Sequence, residues 1–105
     1  GGGSTSSFVR FPTITATILR PNGRRGVLTV ETGVDVPDAG LRTRAEQSAP
    51  RLRAAYNTVV QQIASAMLPG APPDVERMVA QLQAVTDATL GRPGAHLLIG
   101  TVMVA

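Results

Sequence analysis

The sequence predicts an α+β domain of two layers in the order β-β-α-α-β, an antiparallel sheet covered by two helices. Three observations predict it. Polar and apolar residues alternate through residues 8–20 and again through 26–36, on either side of Pro21-Asn22-Gly23. Apolar residues then recur every three or four positions over 41–68 and 75–90. A final apolar run, 96–104, has the length of a strand.

In the first strand, Thr13, Thr15 and Thr17 alternate with Ile14, Ala16 and Ile18. Pro12 donates no backbone hydrogen bond, so it confines the early part to an edge or to the strand's start. Asn22 and Gly23 tolerate the positive φ of a tight hairpin turn. In the second strand Leu28, Val30, Val34 and Val36 share one face, and Thr29, Glu31 and Asp35 share the other. An isolated hairpin is marginal in water, so its apolar face needs a cover.

The cover follows in the chain. Leu52, Tyr56, Val59, Val60, Ile63 and Met67 form one helical stripe, with Arg51, Arg53, Asn57, Gln61 and Gln62 mostly off it. Pro50 leaves two readings: Ser48 caps a helix that begins there, or one long helix kinks at Pro50. Leu41 and Ala45 extend the stripe backwards and favour the kinked helix. Pro69-Gly70-Ala71-Pro72-Pro73 is a break. Asp74 then opens a second helix carrying Val75, Met78, Val79, Leu82 and Val85, and Gly91 is placed to end it.

The last strand is apolar on both sides, with Leu97, Ile99 and Met103 opposing Leu98, Val102 and Val104. A helix pair covers one face of a sheet only, so this surplus of apolar surface points to a partner.

At 105 residues the chain is one domain, taken as 8–105, with 1–7 a flexible segment. That segment, Gly1-Gly2-Gly3-Ser4-Thr5-Ser6-Ser7, reads either as an appended linker or as the stub left by a removed signal or anchor. The formal charge is +3, and all ten basic residues are Arg. They are scattered, without the clusters and interleaved aromatics of a nucleic-acid groove, so nucleic acid is not an expected partner. No run approaches the roughly 20 apolar residues of a membrane span.

Without cysteine, the chain has no disulfide, thiolate metal site or cysteine nucleophile. One histidine, His96, cannot build a His-rich metal centre. Glu31 and Asp35 are about 13 Å apart along a strand, too far for a paired-carboxylate mechanism. Gly91-Arg92-Pro93-Gly94 precedes a strand, whereas phosphate-binding loops open a helix. No catalytic residue, cofactor or metal is therefore expected. The contact residues expected are Arg24 and Arg25 at the hairpin tip, with Leu97, Ile99 and Met103 as the outer face of the last strand. A small exported ligand- or lipid-binding protein with an aliphatic pocket is the alternative; it requires a cavity of a few hundred Å³ between helices and sheet.

The element order, with the helical segment Pro50-Arg51-Leu52-Arg53-Ala54-Ala55-Tyr56-Asn57 after the hairpin and a closing apolar strand, resembles the periplasmic domain of the FliL family, flagellar basal-body-associated proteins. The likeness spans about residues 8–104. It implies a fold similar to the stomatin-like domain, a periplasmic location, and a tether to the inner membrane in the intact protein. It also implies homo-oligomers that associate with the flagellar motor stator, and no catalytic residues.

Overall fold

The computed structural model describes residues 7–105. Strands β1 (Phe8–Arg10), β2 (Ile14–Leu19) and β3 (Arg25–Asp35) are followed by helices α1 (Ala39–Gln47), α2 (Ala49–Ala66) and α3 (Val75–Leu90), and then by β4 (His96–Val104). The fold is α+β, with an antiparallel four-stranded sheet and three helices. Strand β3 is central. Along one of its edges β1 pairs with Gly33–Asp35 and β2 with Arg25–Val30, in succession. Along the other runs β4.

Two expected elements are each split. Phe11-Pro12-Thr13 interrupts the first strand, and only the Phe11 N–H bridges the gap, to Thr32 O at 3.1 Å. Pro12 thus sits in an edge, where its missing donor costs no ladder bond. In place of one kinked helix, α1 and α2 meet at Ser48, two residues before Pro50. Pro50 falls in the first turn of α2, where backbone donors lack intrahelical partners. Ser48 keeps its backbone bonds on both sides, donating to Arg44 O and accepting from Leu52 N.

The hairpin turn closes through Gly23 N to Arg20 O and Arg20 N to Arg24 O, with Gly23 at φ 79°. Asp74 caps α3 by accepting from Arg77 N, and Gly91 terminates it in the left-handed region. The flexible segment expected over 1–7 falls on residues outside the described ones except for Ser7, which belongs to the fold. Its carbonyl accepts from Val36 N at 2.8 Å, and its hydroxyl bonds Asp35 Oδ1.

The core lies between one face of the sheet and the helices. Ile14, Ala16 and Ile18 of β2 and Leu28, Val30 and Val34 of β3 are buried against Leu52, Tyr56, Val60 and Ile63 of α2 and Met78, Leu82 and Leu90 of α3. Val75, expected in the α3 stripe, is 40% exposed. The buried stripe of α3 instead runs Met78, Leu82, Thr86, Leu90. Thr86 is tolerated there because its hydroxyl bonds both Leu82 O, at 2.7 Å, and the buried Tyr56 Oη, at 2.6 Å. Phe11 meets the Tyr56 ring edge-on at 5.3 Å.

Candidate functional site

Strand β4 changes face halfway along. Val30 pairs with Val102, but Thr32 pairs with Ile99, so Gly100 and Thr101 together stand opposite Glu31. This β-bulge inserts one residue and reverses the alternation beyond it. Before the bulge Leu97 and Ile99 point to the helices; after it Val102 and Val104 do. The placement of Leu97 and Ile99 on the outer face is therefore corrected. Leu97 is buried at 7% exposure, and Ile99 is half-buried against the core. Met103 stands outward as expected, 53% exposed and opposite Thr29. Leu98, assigned to the covered side by simple alternation, is outward too. The glycine within the apolar run was the available signal, since glycine inside a strand often marks a bulge.

Thr32, beside the bulge, faces inward at 3% exposure, and its hydroxyl has no partner among the described residues.

The outer face of the sheet carries no helix. Near the hairpin it presents Thr15, Thr17, Val27, Thr29 and Met103. At the other end it presents Phe8 and Leu98, flanking Gly33. The Phe8 ring lies so close over Gly33 that a Cβ there would fall 2.2 Å from its Cζ, so this contact requires glycine. Between Phe8 and Leu98 a cleft of about 360 Å³ is edged by Arg10 and Glu31. The surface is thus mixed, with apolar side chains among threonine hydroxyls and two opposite charges.

Arg24 and Arg25 are exposed at the hairpin end, away from the Phe8–Leu98 cleft. The Arg24 N–H donates to Asn22 Oδ1 at 2.9 Å, which orders the turn. Behind the tip, a groove of about 300 Å³ runs between the hairpin and the proline-rich loop, walled by Ile18, Pro21, Met67, Pro72 and Val104. It lies at the end of the two layers rather than between them.

The polar groups have identifiable structural tasks. Asp38 caps α1 through Leu41 N at 2.7 Å and pairs with Arg92 at 3.1 Å. The backbone donor of Leu41 is the main influence lowering its pKa, reinforced by Arg92 and opposed by partial desolvation. Burial pushes the Tyr56 hydroxyl above its ordinary value, and Asp87 adds to the shift against the Thr86 hydrogen bond. His96 is exposed at the start of β4, opposite Asp35. Among the described residues no group of three His, Cys, Asp or Glu side chains could hold a metal ion. No helix among them is long and apolar enough to cross a membrane.

No protein-family model matches the chain, and a search of curated proteins finds no match.

Proposed function

We propose that this domain is a non-enzymatic protein-interaction module that acts in the bacterial periplasm, tethered to the inner membrane in the intact protein. The observation that carries this reading is the uncovered outer face of the sheet. There Val27, Leu98 and Met103 are 42%, 48% and 53% exposed on a three-strand-wide platform. Apolar side chains grouped on one face and interspersed with hydroxyls suit a protein surface of similar mixed character. The partner is a component of an envelope complex. The likeness in element order to the FliL family supports the motor stator as that complex, and Arg24 and Arg25 supply a cationic contact at the hairpin end.

A photo-crosslinking residue at Val27 or Leu98 tests this in cells that make the protein, with Gln62 on the exposed side of α2 as the control. The expected result is a discrete protein adduct from the sheet positions and none from the control. Adducts absent everywhere, or equal at all three positions, would overturn it. Fractionation of the same cells reads the location.

A second reading is an exported carrier of a small apolar ligand or lipid, for which the site would be the 300 Å³ groove between hairpin and proline-rich loop in place of the interlayer cavity expected. Native mass spectrometry of the purified protein decides it, because a carrier keeps a bound lipid mass and an interaction module does not.

A further inference from the structure

The sheet has two edges, and they are closed very differently. The first is interrupted by Pro12, and the Gln61 side-chain amide of α2 donates to Thr15 O at 3.0 Å. The second edge is β4. Its first residues are closed by Gln83 of α3, which accepts from Leu97 N at 2.9 Å and donates to Ala95 O at 2.8 Å. One side-chain amide thus stands in for a neighbouring strand. Beyond Ile99 no comparable closure exists among the described residues.

Ala105 and Val27 exchange both backbone hydrogen bonds, at 2.9 Å each. By the alternation of antiparallel ladders, the N–H and C=O groups of Val102 and Val104 then point away from β3, toward the open edge. Natural edges are usually blunted by proline or charge. His96–Val104 contains neither proline nor any Asp, Glu, Lys or Arg.

We propose that this edge pairs with β4 of a second copy of the chain, antiparallel about a twofold axis at Met103, joining two sheets into one. Three features commit the edge to its own kind. A twofold pairing places every residue opposite a residue of the same strand, and a strand without ionised side chains meets no like charge in that arrangement. The Gly100–Thr101 bulge ends the straight stretch, leaving 101–105 to pair. Centring that stretch on Met103 sets Val102 opposite Val104 of the second copy, so each outward backbone group finds a partner. Finally, Met103 meets Met103 on the outer side, which covers an apolar side chain that is 53% exposed in the single chain. The contact extends about 17 Å along the strand. So short a contact belongs with the small, weak and transient interfaces.

The pairing shares Met103 with the outer-face contact proposed above, but the two are read separately, because the Val27 crosslinker lies on the central strand. Sedimentation of the full chain from about 10 µM to 1 mM tests it across the affinity range. The wild type is expected to shift from monomer to dimer. Val104→Pro removes a donor that faces the open edge and no bond to β3, so it should weaken dimerisation at least about tenfold with an unchanged circular-dichroism spectrum. Met103→Glu and Met103→Lys should each stay monomeric alone and form a heterodimer when mixed. A wild type that is monomeric at the highest concentration overturns the pairing, as does a mixture of the Met103 variants that forms no heterodimer. Crosslinks at Val27 without dimers would remove this pairing and leave the protein-interaction reading standing. Dimers without crosslinks would do the reverse.

Discussion

Val27 and Leu28 are consecutive residues on the central strand, both aliphatic, and they meet different surroundings. Leu28 is fully buried beneath the helices; Val27 is 42% exposed on the opposite face. The backbone treats them alike, since β2 and β4 flank β3 at both positions. What separates them is the second layer. α2 covers β2 and α3 covers β4, both on Leu28's side of the sheet. The inner face is therefore fixed by packing within the chain, and the outer face is free to be chosen for contacts outside it.

Substitution at these two positions should have very different consequences. Leu28→Ala should cost about 2–5 kcal/mol in urea unfolding, from lost burial and the cavity left behind. Val27→Ala should change stability by about 0.5 kcal/mol or less in dilute solution. Equal losses would mean that the outer face is packed after all.

Thr32→Val comes next. It replaces an inward hydroxyl that lacks a partner with a methyl group of similar shape, and should raise stability by about 1 kcal/mol. A loss would show that the hydroxyl is hydrogen-bonded in solution.

The smallest expected effect is alkaline. Tyr56 packs on the inner side, and its folded pKa is raised above the unfolded value near 10. Its protonated form is favoured by folding, so its contribution is complete below about pH 10 and is lost as pH climbs through the folded value. The chain has no lysine or cysteine and only this tyrosine, so no other side chain titrates between about pH 8 and 11. Unfolding curves at the two ends of that range should differ for the wild type and coincide for Tyr56→Phe.

Much of this arrangement was legible in the sequence. Strict alternation marked the inner row of Ile14, Ala16, Ile18, Leu28, Val30, Val34 and Val36, because a strand covered on one side must alternate. The α2 stripe from Leu52 to Ile63 was legible for the equivalent helical reason. The last strand was misassigned because alternation carries through a run only while its register is unbroken, and the bulge at Gly100–Thr101 reverses it. Leu97 and Ile99 thereby moved to the core, and Leu98 moved to the candidate surface. Thr86 was hidden for another reason. A buried threonine is recognisable only through its partner Tyr56, 30 positions earlier in the chain. Gln83 and Gln61 closing the sheet edges are long-range in the same way, and no local pattern announces them.

If the outer sheet face is bare in the isolated domain and covered by a partner protein in place, thiol labelling of Val27→Cys, the chain's sole cysteine, reads the difference. The purified protein should be modified rapidly in dilute solution and strongly protected in intact cells, with Gln62→Cys on α2 modified equally in both. Equal labelling of Val27→Cys in the two settings would contradict it.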